Sequence, residues 1–122
     1  MPKRIESYRD LVVWQQAMDL AAAVYMATKT WPKDELYGLT SQARRAAASV
    51  PANIAEGYGR ENSGSYQQFL RIAQGSLKEL ETHLLIAARV GIASREVVNG
   101  LIASSESVGK LLRLLIRKLS TA

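Results

Sequence analysis

The chain contains no cysteine, which excludes a disulfide framework, a thiolate metal site and a cysteine nucleophile. Histidine occurs once, at His83. Di-iron bundles need two Glu-x-x-His pairs, and Glu79 and Glu81 stand four and two residues before His83, the wrong offsets. No metal site and no cofactor is therefore expected. Proline is confined to Pro2, Pro32 and Pro51, which leaves most of the chain free to be helical. No stretch alternates apolar and polar residues with period two, so strands are not expected. The longest apolar run, Leu20 to Met26 and its neighbours, falls far short of a membrane span. The opening Met1-Pro2-Lys3-Arg4-Ile5-Glu6 is polar and lacks the apolar core of a signal peptide, so the cytoplasm is the expected compartment.

What is present is enough for one domain spanning 1–122. Hydrophobic residues make up 48% of the 122, which excludes disorder, and charged residues make up 22%, ordinary for a soluble protein. The net charge of +5 points towards anionic partners.

The chain is organised around Ser49-Val50-Pro51-Ala52-Asn53-Ile54-Ala55-Glu56-Gly57-Tyr58-Gly59-Arg60. Apolar residues at Leu36, Leu39, Ala43, Ala46, Ala47, Val50 and Ile54 keep the steps of three and four of one helix face. That phase continues through Pro51, so a helix over roughly 35–60 is expected to be kinked at the proline rather than split by it. Opposite the core face lie Ser41, Ala48, Ala52, Ala55 and Gly59, all small. Such a face suits another helix packed closely against it, or a plain alanine-rich surface.

Around it the chain reads as three further helices. The first, roughly 8–30, is capped by Ser7 with Asp10 three residues on, and puts Leu11, Trp14, Ala17, Met18, Ala21 and Tyr25 inward. A second row, Val13, Leu20, Val24 and Ala27, is left over for contacts beyond one bundle. Trp31-Pro32 ends this helix, and Asp34 caps the next. After the turn at Glu61–Ser65, a helix over roughly 65–90 places Tyr66, Phe69, Leu70, Ala73, Leu77, Leu80, Leu84 and Ala88 inward. Gly91 to Ser94 joins a helix end to an N-cap, and the last helix, roughly 95–119, buries Val97, Leu101, Val108, Leu112, Leu115 and Leu119. Four long helices with short turns predict an all-α, antiparallel up-down-up-down four-helix bundle.

The stretch Ser49–Arg60, then Phe69-Leu-x-Ile72-Ala-x-Gly75-Ser-Leu-x-Glu79-Leu-Glu81-Thr-x-Leu84-x-Ile86-Ala87, resembles the bacterial four-helix-bundle proteins encoded in 23S rRNA intervening sequences. Tyr8-Arg-Asp-Leu-Val-Val-Trp14-Gln is similar to that family too, and the likeness covers roughly Tyr8 to Leu119. The resemblance implies a left-handed bundle assembling into a homopentameric ring, and it carries no established activity. More distantly, the chain resembles the accessory protein of diversity-generating retroelements, a basic pentamer that engages a reverse transcriptase and nucleic acid.

Two polar constellations are candidates for function. Arg45, Asn53, Glu56 and Arg60 share a helical stripe. They form either a structural network, with Glu56 pairing Arg60 and Asn53 reaching a partner such as Glu81, or a ligand or RNA site. Lys110, Arg113, Arg117 and Lys118 close the last helix with no acid after Glu106, and Arg71, Lys78 and Arg89 form a second basic row. Rows of cations displace the counterions condensed on phosphates; the alternative is a solvated face that suits the negative helix C-terminus. Gly57-Tyr-Gly59 lacks the strand of a nucleotide-binding fingerprint. Ser104, Ser105 and Ser107 lack any nucleophile-elbow context. The expectation is thus a protein that is not an enzyme. It is either a basic oligomer binding structured RNA or DNA by its backbone, or an interaction scaffold for a nucleic-acid-processing protein. Its expected subunit interface is Ala48, Ala52, Ala55 and Gly59 with Val13 and Leu20.

Overall fold

The computed structural model describes residues 4–121, and the reading of the opening Met1 to Lys3 lies outside them. The chain forms α1 (Val12–Thr28), α2 (Ser41–Tyr58), α3 (Ser63–Arg89) and α4 (Arg95–Ser120). α1 packs on α2, α2 on α3, α3 on α4, and α4 back on α1. The four helices therefore occupy the corners of a square, in chain order, as an antiparallel bundle. No helix among the described residues is long and apolar enough to cross a membrane.

The helix starts differ from the sequence expectation in an informative way. Ser7 and Asp10 do form a capping box, but it caps a 3-10 turn, Tyr8–Asp10. Leu11 then turns extended and α1 begins at Val12. Asp34 lies within a second 3-10 turn, Lys33–Glu35, followed by a π-helical turn, Leu36–Thr40. There Glu35 accepts a hydrogen bond from the Leu39 N–H, and Gly38 leaves helical geometry at φ −112°, ψ −112°. α2 starts only at Ser41 and then runs unbroken through Pro51, as the shared apolar phase requires. The last junction follows the sequence closely. Gly91 takes φ 81°, the Ile92 N–H bonds to the Ala87 carbonyl and the Gly91 N–H to that of Ala88, a Schellman ending. Ser94 caps α4 through a bond from the Val97 N–H.

Leu70, Leu80, Leu84 and Leu112 are fully buried, with Ile54, Val50 and Val24 beside them. Each contributes roughly 1.5–3 kcal/mol by leaving water. α2 faces this core with Ala43, Ala46 and Ala47, which lets its neighbours approach closely. That close approach rotates α1 from the expected facing: Ala17 and Ala21 are inside as expected, but the larger residues of that face are not. Val13, Leu20 and Val24 point into the core, so Val13 and Leu20 are not surface contacts for another subunit. Met18 and Tyr25, expected inside, are 44% exposed, and Trp14 is half-buried at the margin. Narrow branched side chains fit between closely spaced helices, whereas the larger ones are displaced to the rim. In α4 the first turn shifts by one residue: Val98 is buried and Val97 exposed, and Ile116 takes a core place with Leu115 and Leu119 only half-buried.

α2 and α3 approach each other closely at Gly57. A Cβ there would stand 2.8 Å from Phe69 Cβ and 3.2 Å from the Tyr66 carbonyl oxygen, so the motif glycine sets the helix spacing. Across α1 and α2, the Arg44 Nε–H donates to Thr28 Oγ1 at 2.8 Å while its guanidinium lies 5.0 Å above the Tyr25 ring.

Candidate nucleic-acid interface

The polar stripe of α2 resolves into separate parts. Asn53 Nδ2 donates to the Ser49 carbonyl (2.8 Å) and to Ser49 Oγ (2.9 Å), one turn back on its own helix. Ser49 Oγ meets Ser76 Oγ of α3 at 2.8 Å, so the cross-helix partner is a half-hidden serine pair and not Asn53 with Glu81. Glu56 and Arg60 pair at 3.1 Å, as their spacing suggests, and the Arg60 guanidinium lies 4.6 Å over the Phe69 ring. This exposed pair contributes well under 1 kcal/mol. Arg45 is exposed and takes no part in that chain of bonds. Burial, and then the neighbouring Tyr58, raises the pKa of the Tyr66 phenol beside this stripe.

The two basic rows behave differently, because α3 and α4 run antiparallel. Arg71 and Lys78 of α3 come together with Lys110 and Arg113 of α4 along one groove of about 540 Å³. Gln74, Gly75, Leu77, Glu81, Ser105, Glu106 and Gly109 complete its lining. Arg89 stands 18 residues beyond Arg71, about 27 Å along the helix. It belongs to a second hollow of about 370 Å³ at the α3–α4 turn, with Arg95 and Asn99. Arg117 and Lys118 lie in the last turn of α4, past the groove. Four of the seven predicted cations thus converge, and three do not.

At the floor of this groove sits a link that sequence reasoning missed. The Ser105 hydroxyl is fully buried and donates to Glu81 Oε2 at 2.6 Å. Glu81 Oε1 lies 3.4 Å from Lys78 Nζ, and the Glu81 side chain is 15% exposed while that of Lys78 is 76% exposed. The serine holds the carboxylate from the core side and the lysine approaches it from solvent. One signal was in the sequence: the apolar series of the last helix jumps from Leu101 to Val108, and Ser105 fills the core position between them. Ser76 fills the same kind of place in α3, between Ala73 and Leu80.

The opposite side of the bundle carries the other notable surface. Trp14, Met18 and Tyr25 of α1 and Ala48, Pro51, Ala52 and Ala55 of α2 line a shallow apolar groove of about 490 Å³. Ala48 and Ala52 are exposed there, and Ala55 is half-buried. Gly59, at the end of α2, is exposed but lies outside this lining. His83 sits half-buried on α3, with Nε2 3.5 Å from Glu79 Oε1, a contact without hydrogen-bond geometry. Among the described residues, no three metal-ligating side chains gather.

The family profile described as 23S rRNA-intervening sequence protein matches residues 9–114. A crystal structure of a protein of unknown function from the S23 ribosomal protein family of Bacteroides thetaiotaomicron VPI-5482 superposes with a TM-score of 0.78 at 23% identity, covering 86% of this chain and 98% of the other. That likeness is one of fold. No curated protein matches the chain.

Proposed function

The chain belongs to the 23S rRNA-intervening sequence protein family, and from that premise we propose that it is a non-catalytic basic bundle that binds structured RNA through its phosphates. The convergence of Arg71, Lys78, Lys110 and Arg113 on one groove carries this reading. Four cations along a groove can displace several condensed counterions together, which scattered surface charges do not. Readout is of backbone and shape, since an RNA duplex hides its base edges in a deep major groove.

A salt titration of binding to a structured ribosomal RNA fragment, beside duplex DNA of equal length, tests it. Four neutralised phosphates give a log–log slope of roughly −3 to −4. Lys110→Glu or Arg113→Glu flattens that slope by about one unit or more, and Arg117→Glu, outside the groove, changes it less. Binding that is lost at physiological salt, or that is indifferent to the groove charges, refutes the proposal.

The same chain self-associates in this reading, through the apolar α1–α2 groove, into the pentamer that the family resemblance implies. Exposed Met18, Tyr25 and Ala52 support the choice of face. A second reading, a scaffold for a nucleic-acid-processing protein, draws support from Leu85, Ile86, Val90 and Val97, which stand 44–61% exposed around the α3–α4 turn. A partner protein retained after nuclease treatment, with no measurable RNA affinity, favours that reading instead.

A further inference from the structure

The α3–α4 groove is net cationic at its rim, where Arg71, Lys78, Lys110 and Arg113 outnumber Glu106, and anionic at its floor. A carboxylate only accepts hydrogen bonds, and it repels phosphate. Glu81 is held at the floor by the buried Ser105 hydroxyl at 2.6 Å, so its position is set by the core and not by the exposed rim. Each of its oxygens has accepting capacity beyond the bonds from Ser105 and Lys78. A phosphate therefore suits the rim and not the floor, while a free amine suits the floor but meets a rim that stays net positive, four cations against the single carboxylate of Glu106. The group that satisfies both is neutral, carries adjacent hydrogen-bond donors, and has phosphate beside it.

Among the nucleobases, guanine meets that description: its N1–H and N2–H lie side by side and match the two oxygens of a carboxylate. Adenine, cytosine and uracil each interleave donors with acceptors on the same edge, which would set a lone pair against the carboxylate. Unpaired bases of RNA loops present this edge to proteins. There is also room. A Cβ built at Gly75 has no atom within 4 Å, and one at Gly109 meets only Leu77 Cδ1 at 3.7 Å. The groove of about 540 Å³ lies within the size range of small-molecule sites.

We propose that Glu81, anchored by Ser105 at the floor of the α3–α4 groove, reads the donor edge of an unpaired guanine whose flanking phosphates are held by the rim cations. This rests on the RNA-binding reading above and adds base preference to it. The shared chemistry, guanine next to phosphate, is also that of a free guanine nucleotide.

The test is fluorescence anisotropy with RNA hairpins whose uridine loop carries one central guanosine, inosine or adenosine, with guanosine monophosphate as a separate competitor. Guanosine should bind at least about ten-fold tighter than adenosine, with inosine, which lacks the N2 donors, in between. Glu81→Gln should erase the preference and leave the salt slope in place. The hairpin comparison is made on the unaltered protein, so it decides the matter even if Glu81→Gln does not fold. Equal affinity for the three loops with a steep salt slope overturns the guanine site and leaves backbone binding standing. Guanosine monophosphate competing at the same concentration as the guanosine loop supports the floor site but moves its source from RNA to free nucleotide. No affinity for any loop or for the nucleotide overturns both readings.

Discussion

One substitution, glycine to alanine, should have opposite effects at two positions of this bundle. At Gly57 the added Cβ would stand 2.8 Å from Phe69 Cβ, 3.1 Å from Tyr66 Cδ1 and 3.2 Å from the Tyr66 carbonyl oxygen. Two of these three neighbours, the Phe69 Cβ and the Tyr66 carbonyl, are backbone or joined directly to it, so no rotamer change relieves the contact. α2 and α3 must separate by several tenths of an ångström, and overpacking of this kind costs about 1–3 kcal/mol. Alanine's higher helix propensity returns at most about 1 kcal/mol, less at the end of a helix. The net loss is about 1–2 kcal/mol, a fall in melting temperature of roughly 4–10 °C for a domain of this size. At Gly75 the same Cβ meets nothing within 4 Å, and mid-helix alanine should stabilise by about 0.5–1 kcal/mol. Thermal unfolding followed by circular dichroism at 222 nm, with both variants under one protocol, measures the pair. If Gly57→Ala melts at or above the parent temperature, the close approach of α2 and α3 is not what the glycine provides.

Other outcomes follow from the same packing. Gly91→Ala forces a side chain into φ 81° at the end of α3, and urea denaturation should show a loss of about 1 kcal/mol with an unchanged m-value. Ser76→Ala removes the hydroxyl contact between α2 and α3 while Ser49 keeps its bond from Asn53, so the same assay should read about 1 kcal/mol or less. Ala52→Glu and Ala55→Glu place a charge on the apolar α1–α2 groove and should yield folded monomers; an intact oligomer by light scattering for both would remove that face from self-association.

The number of helices and the α3–α4 turn were legible because local rules set them: the Ser94 cap, the Gly91 ending and the unbroken phase through Pro51. The pair Asn99-Gly100, a hairpin signal between apolar residues, lies well inside α4, where the spacing of Val98 and Leu101 on the core prevails. What the sequence did not disclose depends on the distance between helices. The large side chains of α1 looked like core, yet alanines on α2 bring the helices too close for them, and Val13 and Leu20 take the inner places. The candidate site divides the same way. Each basic row was visible on its own helix, but which members meet is set by the antiparallel pairing of α3 and α4, which joins Arg71 to the Lys110–Arg113 turn and leaves Arg89 and Arg117 apart. The Glu81–Ser105 link needed both pieces, since a buried serine gives no sign of its partner until the facing helix is known.

The square arrangement puts the α1–α2 groove and the α3–α4 groove on opposite sides of each protomer. In the proposed assembly, a copy seated on the first groove lies on the side away from the second, so that contact and ligand capture do not compete for surface. Tethered grooves convert a second contact by one long RNA into an intramolecular event, at effective concentrations on the order of millimolar when the spacing is spanned. Affinity should then depend on strand length as a step: weak while one groove is reached, and stronger by a factor of about 10²–10⁴ once the strand is long enough to reach two.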